Sequence, residues 1–287
     1  MRRGEHGGDW AAYQIQYHGM PLDFSANVSP MGIPAGVKRA LYQAVEEVNR
    51  YPDPLCRQLR ACLGRHHDVS SAQILCGNGA SDLIDRLVLA LRPKRGMVTA
   101  PAFSEYGQAL RRVGCQVEEF PLQRAEDFRM TARILERITP ALDILFLCEP
   151  SNPAGQTTDR ALLEKILERC DACGVLLVVD ECFEEFLLDR SHSMVSNLTG
   201  HHLLILRAFT KFYGLAGVRL GYCLCQEETL LEQMRLAGQP WPVSHLAQAA
   251  GMAALEETVY GDQLRAWTRR RREALRLALT QLGCDVV

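Results

Sequence analysis

Residues 207–222 read R207-A-F-T-K211-F-Y-G-L-A-G-V-R219-L-G-Y222, and they decide the fold. An apolar stretch typical of a strand runs into Lys211, which is set among small and hydroxyl-bearing residues, and Arg219 follows eight positions later. A lysine held among apolar groups has a lowered proton affinity, so its neutral amine can form an imine with an aldehyde. A surface lysine after a strand is the simpler alternative, and this segment alone favours it.

The rest of the chain alternates short apolar runs with longer amphipathic ones, which predicts an α/β fold with a mostly parallel sheet flanked by helices. The expected strands are Met97–Thr99, Ile144–Cys148, Val175–Val179, Leu203–Arg207 and Leu220–Cys223, with a shorter one at residues 74–76. The expected helices are Ser81–Leu91, Glu105–Val113, Asp159–Ala172 with Thr158 as a possible N-cap, one through residues 37–48, and Leu264–Leu282.

Asp180 follows the apolar run Val175–Val179 directly. A carboxylate at the carboxyl end of a parallel strand points into the crevice where such sheets bind ligands. An anion in that place can keep a ring nitrogen of a bound cofactor protonated. The alternative is an aspartate that caps the N-terminus of a helix, and the sequence leaves both open.

Two turns follow other predicted strands. In residues 149–155 prolines hold the turn rigid, and Asn152 can donate to an oxygen acceptor, although Asn, Pro and Gly are common in any turn. In residues 77–82 the sequence Gly-Asn-Gly-Ala-Ser-Asp joins a short strand to a helix. Backbone N–H groups at a helix start, with the Ser81 hydroxyl, suit a phosphate. Asp82 stands where a dinucleotide-binding motif needs glycine, and an acid beside a phosphate is expected to point away.

These four segments occur in the order found in the fold-type I pyridoxal 5'-phosphate (PLP) enzymes of the aspartate aminotransferase type, and the chain resembles that superfamily over nearly its whole length. In finer detail it resembles the threonine-phosphate decarboxylases of cobalamin biosynthesis, close relatives of the histidinol-phosphate aminotransferases. The segments that carry the closer resemblance are residues 6–8, 23–30, 50–53, 103–106, 210–213 and 240–244.

The resemblance implies a role for each matching residue. Lys211 would bind PLP as an imine, and Asp180 would pair with the pyridine nitrogen. The remaining cofactor contacts would be Asn152 to the ring oxygen, Phe103 on the ring face, and Gly79, Ala80, Ser81, Thr210 and Arg219 around the phosphate. Tyr51 would reach the phosphate of a neighbouring subunit, which implies a homodimer. His6, Asn27 and Asn152 would contact the substrate.

Two positions depart from the aminotransferase pattern. Phe183 stands where these relatives usually place a tyrosine that bonds the ring oxygen, and the decarboxylase-like proteins often carry phenylalanine there. Ala208 replaces a hydroxyl that often assists the phosphate. The resemblance thus implies decarboxylation of L-threonine O-3-phosphate to (R)-1-aminopropan-2-yl phosphate. The alternatives are a histidinol-phosphate-type aminotransferase and a truncated, non-catalytic PLP-fold protein.

The resemblance also predicts the domain organisation. We expect an N-terminal arm with part of the small domain in residues 1–35, a large PLP-binding domain in residues 36–245, and the start of a truncated C-terminal small domain in residues 246–287. Residues 285–287 look like the beginning of a strand, which suggests a missing C-terminal portion that would supply substrate-binding arginines.

Composition favours a globular protein of the cytoplasm. The 287 residues are 47% hydrophobic and 23% charged with a formal net charge of -2, so no global field attracts nucleic acid or an anionic membrane. The eleven cysteines are scattered and mostly apolar in context, which favours free buried thiols over a disulfide framework. The pairs at residues 66–67 and 201–202 lack further histidines at ligand spacing, so we expect no metal site.

Overall fold

A seven-stranded sheet forms the centre of the computed structural model, which describes residues 7–287. The strands are β1 (Ile74–Gly77), β2 (Arg95–Ala100), β3 (Gln116–Pro121), β4 (Ile144–Cys148), β5 (Leu176–Asp180), β6 (Leu203–Ala208) and β7 (Gly221–Cys225). Their order is β1-β7-β6-β5-β4-β2-β3. Strand β7 is antiparallel to both of its neighbours, and the other four pairings are parallel. The predicted mostly parallel sheet is confirmed.

Helices precede, connect and follow these strands. They are α1 (Trp10–Tyr17), α2 (Ala35–Val45), α3 (Arg57–His67), α4 (Ala80–Leu91), α5 (Ser104–Arg112), α6 (Ile134–Arg137), α7 (Arg160–Cys173), α8 (Glu228–Leu236), α9 (His245–Leu255) and α10 (Thr258–Gln281). The predicted helices correspond to α2, α4, α5, α7 and α10 within a few residues, except that α10 begins six residues earlier than expected. Strand β3 and helices α1, α3, α6, α8 and α9 were not among the predicted elements.

Apolar side chains on both faces hold the sheet between two layers of core. In β4, Leu145 and Leu147 pack into one cluster, whereas Ile144 and Phe146 pack into the other. The same alternation occurs in β5 and β6, and every residue of these three strands is buried. Strands covered on both faces read as continuous apolar runs, which explains why they were visible in the sequence.

Two local predictions are wrong. Thr158 does not cap α7; the side chain of Asp159 accepts a hydrogen bond from the N–H of Leu162, while the N–H of Thr158 donates to the Glu149 carboxylate at 2.8 Å. Residues 284–287 form no strand, and the chain there leaves α10 through a turn that places Asp285 against Arg124. None of the helices within residues 7–287 combines the length and apolar character needed to cross a membrane.

Candidate active site

The carboxyl ends of the parallel strands open into a cavity of about 610 Å³. The strand order reverses between β4 and β2: strands β5 and β6 follow β4 on one side, and β3 follows β2 on the other. Open α/β sheets bind ligands at such a reversal. The cavity brings together nine of the predicted site residues: Asn27, Ala80, Ser81, Phe103, Asn152, Asp180, Thr210, Lys211 and Arg219.

Asp180 is the last residue of β5, and its carboxylate lies at the floor of the cavity. Its Oδ2 accepts a hydrogen bond from the Tyr106 hydroxyl at 2.6 Å, and its Oδ1 accepts one from the Cys182 N–H at 3.0 Å. Burial raises the pKa of Asp180 above its ordinary value, while these two hydrogen bonds lower it. The carboxylate is therefore desolvated and fixed in position, so a cationic ring nitrogen placed beside it would gain a strong partner.

Lys211 lies three residues beyond the end of β6, on a loop tied to the N-terminal arm. The N–H of Ser29 donates to the Lys211 carbonyl at 2.9 Å, and the buried Ser29 hydroxyl is 2.6 Å from the Tyr260 hydroxyl. The Lys211 amine lies 5.9 Å from the centre of the Phe183 ring, and both residues line the cavity. An aromatic ring and a half-buried position limit the water around this amine.

The predicted phosphate turn precedes the N-terminus of α4. Gly79 has a φ of 81° and caps the helix, and a Cβ there would lie 2.6 Å from Nη2 of Arg219. Arg219 itself has a positive φ of 61° and lines the cavity with Ala80 and Ser81. Gly79 is thus required for the close approach of the guanidinium. Backbone N–H groups, a hydroxyl and a guanidinium converge here as an anion site.

Asp82 points away from the cavity, as we expected for an acid beside a phosphate site. Its Oδ2 accepts a hydrogen bond from the N–H of Asn78 at 2.8 Å, and its Oδ1 accepts one from Nε of Arg86 at 2.9 Å. The Arg86 side chain is only 3% exposed. The acid therefore holds the phosphate turn in shape and pairs with a buried arginine instead of facing the ligand.

The turn that contains Asn152 is closed by its own hydrogen bonds. The N–H of Ser151 donates to the carbonyl of Gln156 at 2.8 Å, and the N–H of Gly155 donates to the carbonyl of Ser151 at 2.8 Å. Across the cavity, Phe103 precedes α5 and its ring meets that of Tyr106 edge to face, with centroids 5.5 Å apart. An amide donor and a planar hydrophobic surface are thus available to a ring bound between them.

Two other predicted site residues, Gly79 and Tyr51, do not line the cavity. Gly79 is not at the cavity wall but directly behind Arg219. Tyr51 is 80% exposed and stacks on Trp241 with a centroid distance of 4.6 Å, outside the cavity. Tyr51 does not line this cavity, and its expected contact with the phosphate of a neighbouring subunit stays a prediction. His6 lies outside the described residues.

Sequence reasoning missed Tyr106 and Cys182, both of which line the cavity and contact Asp180. Tyr106 follows Phe103 by about one helical turn, and this spacing was a usable signal. In the second of the two histidine pairs, His201 lies 2.5 Å from Asp171, and His202 lies 3.1 Å from Glu227.

The cavity fits a planar, phosphorylated, cationic ring. A desolvated carboxylate lies at one end, an anion site built around the Gly79–Arg219 contact lies at another, and an amine and an amide line the space between. These are the groups that PLP needs for its pyridine nitrogen, its phosphate, its aldehyde carbon and its ring oxygen.

Residues 20–287 match the family profile of class I and II aminotransferases. The chain belongs to this family. The cofactor of the family is PLP, and its fold is the aspartate aminotransferase-like PLP fold, so the cofactor and fold class predicted from the sequence are both confirmed.

Curated members of the family include close relatives of the chain. It is 39% identical over 261 residues to the threonine-phosphate decarboxylase of Salmonella typhimurium, covering 91% of the chain and 72% of that enzyme. It is 33% identical over 243 residues to the histidinol-phosphate aminotransferase of Bacillus subtilis, covering 83% of the chain and 67% of that protein.

Solved structures share the fold at lower identity. The histidinol-phosphate aminotransferase from Clostridium acetobutylicum superposes with a TM-score of 0.83 at 24% identity, covering 89% of the chain and 76% of that structure. A mutant aspartate aminotransferase from Thermus thermophilus gives a TM-score of 0.86 at 24% identity, covering 96% of the chain and 77% of that structure.

Proposed function

We propose that the protein decarboxylates L-threonine O-3-phosphate, releasing CO₂ and (R)-1-aminopropan-2-yl phosphate for cobalamin biosynthesis. The observation that carries this proposal is the 39% identity to a threonine-phosphate decarboxylase across 91% of the chain. The cavity supports it, because Lys211, Asp180 and Asn152 line one space with an anion site.

The chain's own residues would hold the cofactor from every side. Lys211 would bind it through its amine, Asp180 would pair with the ring nitrogen, and Asn152 would donate to the ring oxygen. Phe103 would cover a ring face, and Arg219 with the start of α4 would hold the phosphate; all of these residues line the cavity. The fixed carboxylate of Asp180 supplies a preorganised negative charge, which is worth more in a desolvated site than in water.

The reaction then depends on how the substrate is oriented. When bound, PLP accepts the electron pair of whichever bond at the substrate's α-carbon lies perpendicular to its ring. Residues that hold the carboxylate in that direction favour release of CO₂, and residues that hold the hydrogen there favour transamination. Asn27 lines the cavity on the N-terminal arm and is placed to orient the substrate. After CO₂ leaves, Lys211 would return to the α-carbon the proton that it took up from the substrate's ammonium group.

A product assay tests the proposal. The protein, loaded with PLP, is incubated with L-threonine O-3-phosphate or with histidinol phosphate and 2-oxoglutarate, and both CO₂ and glutamate are measured. We expect CO₂ from the first substrate and no glutamate from either. The variant Lys211→Ala is the control for background release. Glutamate without CO₂ would instead identify an aminotransferase.

A histidinol-phosphate-type aminotransferase is the second candidate, favoured by the 33% identity to such a protein over 83% of the chain. The cofactor residues are compatible with both reactions. A non-catalytic PLP-fold protein is the third candidate, and absorbance separates it from both enzymes. A visible cofactor band that changes with no phosphorylated amino acid would support it.

The active form is proposed to be a homodimer. Tyr51 is 80% exposed, and the arm contributes further exposed apolar side chains: Trp10, Ile15, Tyr17, Leu22 and Phe24. Exposed apolar side chains this close together in the sequence of one arm would suit an interface, and Tyr51 would complete the phosphate site of the second subunit. Sedimentation velocity tests the assembly, and a monomer at micromolar concentration would contradict it.

The cytoplasm is the proposed location of the protein. All eleven cysteines lie within the described residues and are free thiols, seven of them buried. Free thiols persist in a reducing compartment. Fractionation of the source cells, with detection of the native protein, tests this location.

A further inference from the structure

A buried ion-pair cluster lies immediately below the turn that carries Asp180. Nη2 of Arg207 is 2.6 Å from the Glu181 carboxylate, and Nη1 of Arg207 is 2.8 Å from the Glu184 carboxylate. The Arg207 side chain is 3% exposed and the two glutamate side chains are each 1% exposed. Three charges have therefore been removed from water almost completely, and this desolvation costs free energy unless good ion-pair geometry and further hydrogen bonds offset it.

Further hydrogen bonds lock the cluster in place. The Ser193 hydroxyl accepts from Nη2 of Arg207 at 2.8 Å and donates to Oε2 of Glu181 at 2.9 Å. The N–H of Met194 donates to Oε1 of Glu181 at 2.6 Å, and the N–H of Glu181 donates to the Leu206 carbonyl at 2.8 Å. Both oxygens of the Glu181 carboxylate are thus fixed.

The cluster joins two of the elements that build the cofactor site. Glu181 follows Asp180 directly and precedes Cys182 and Phe183, which line the cavity. Arg207 lies on β6, next to Ala208 and four residues before Lys211. The Arg207 guanidinium therefore links two elements. One is the turn that follows Asp180, the expected partner of the ring nitrogen, and the other is strand β6, which leads to Lys211.

The charges also bear on Asp180. The negative charge of Glu181 opposes ionisation of its neighbour Asp180. Arg207 faces the carboxylates of Glu181 and Glu184, with Glu185 and the Tyr222 hydroxyl also near it. If the guanidinium were removed, two buried carboxylates would be left uncompensated, and one of them belongs to the residue next to Asp180.

We propose that Arg207 is a positioning residue of the cofactor site: it holds and neutralises Glu181 and Glu184, so that the charge of Asp180 is directed at the ring nitrogen of PLP. This role concerns the cofactor and is the same for a decarboxylase and for an aminotransferase. It acts at the ring end of the cofactor, away from the phosphate.

The test compares Arg207→Met, Arg207→Lys and the charge-neutral variant Arg207→Met/Glu181→Gln/Glu184→Gln in the full chain. The control is Arg235→Met, which breaks an exposed ion pair with Glu232. Two quantities are measured: the dissociation constants of PLP and of pyridoxal, and the pH midpoint of the visible band of bound PLP.

We expect Arg207→Met to weaken the binding of PLP and of pyridoxal by the same factor, about tenfold or more, because a buried charge pair is broken at the ring end of the cofactor. The midpoint of the band should move to higher pH, since the site becomes more negative. The affinity of Arg207→Lys for PLP should lie between those of the parent and Arg207→Met, because lysine keeps the charge but cannot bridge both carboxylates. The charge-neutral variant should recover most of the affinity.

The proposal would be overturned if Arg207→Met lost affinity for PLP but not for pyridoxal, or if the pH midpoint of its visible band were unchanged. If Arg207→Met does not fold, Arg207→Lys and the charge-neutral variant decide in its place. Parent-like affinity for PLP in Arg207→Lys, or a charge-neutral variant with no recovery relative to Arg207→Lys, would then overturn it. These readouts use no substrate, so failure of the proposed decarboxylase activity would not affect them.

Discussion

The Tyr106 hydroxyl donates a 2.6 Å hydrogen bond to Oδ2 of Asp180, although the two residues are 74 positions apart. Tyr106 is buried and its ring stacks on Phe146 at a centroid distance of 5.2 Å, so the donor has little freedom to move. Burial favours the protonated form of Asp180, and this hydrogen bond favours the charged form. The tyrosine thus opposes the desolvation that would otherwise neutralise the partner of the cofactor ring.

Tyr106→Phe should weaken PLP binding about tenfold, because a hydrogen bond to a charged group contributes roughly 1.5–3 kcal/mol. The pKa of Asp180 is already raised by burial and should rise further without this donor. PLP affinity falls as the pH drops through the pKa of Asp180, and this fall should begin at a higher pH in the variant. Fluorescence titration of PLP between pH 5 and about 9 measures both effects.

The exposed Tyr42→Phe provides a matched control for the loss of a hydroxyl. It should leave the affinity profile unchanged. An identical pH profile for Tyr106→Phe and the parent would show that the hydrogen bond does not govern the charge of Asp180.

Asp82→Ala should destabilise the protein by about 2–3 kcal/mol, because it leaves the guanidinium of Arg86 buried without its carboxylate. It should also weaken the binding of PLP more than that of pyridoxal, which lacks the phosphate, since Asp82 fixes the N–H of Asn78 in the phosphate turn. Urea denaturation of the apoprotein gives the first quantity, and the ratio of the two dissociation constants gives the second.

Asp85→Ala on the same helix is the control. Asp85 pairs with Arg112 where both side chains are more than 40% exposed, so its loss should cost less than about 1 kcal/mol. Equal costs for the two variants would contradict the importance of the buried pair.

The sequence predicted the parts of the fold and site that depend on local pattern. Strands β4, β5 and β6 are covered on both faces and appear as unbroken apolar runs. Strand β3 was missed because it lies at the sheet edge, where Glu118 and Glu119 interrupt the apolar pattern. The antiparallel direction of β7 has no signature in its hydrophobicity, because burial does not encode strand direction.

The same distinction applies to the site. Asn152, Asp180 and Lys211, which line one cavity, were predicted because each follows a predicted strand and matches a family motif. Tyr106 and Arg207 act through partners that only the folded chain brings near, as the separation of 26 positions between Arg207 and Glu181 illustrates. An arginine in the otherwise apolar run of β6 was nevertheless a signal of a buried charge partner.

Gly79→Ala should weaken PLP binding about tenfold and cost roughly 1–3 kcal/mol of stability. Gly79 has φ 81° and ψ 167°, a backbone conformation that residues other than glycine essentially do not adopt. The added Cβ would also lie 2.6 Å from Nη2 of Arg219 and displace it from the phosphate site. Calorimetric titration with PLP gives the affinity change, and denaturation gives the stability change.

Gly174→Ala separates the two effects. Gly174 ends α7 with a φ of 68°, and a Cβ there meets no atom within 4 Å. This variant should lose about 1–2 kcal/mol from its left-handed backbone and keep the affinity of the parent. A parent-like affinity in Gly79→Ala would show that Arg219 does not hold the phosphate.

His192→Gln should make the protein less stable in mild acid but not in base. Nε2 of His192 lies 3.2 Å from the buried carboxylate of Glu149, at the base of the Asn152 turn, and this hydrogen bond raises the pKa of His192. A raised pKa in the folded state means that the stabilisation is complete below the ordinary histidine pKa of about 6.5. It is lost as the pH rises through the raised value.

The free-energy difference between parent and His192→Gln should therefore be about 1 kcal/mol at low pH, because the pair is partly open to solvent, and should vanish in base. Urea denaturation at a series of pH values between about 5.5 and 9 measures this difference. The exposed His18→Gln is the control and should show no such trend. A difference that grows with pH would reverse the sign of the linkage and remove Glu149 as the partner of a protonated His192.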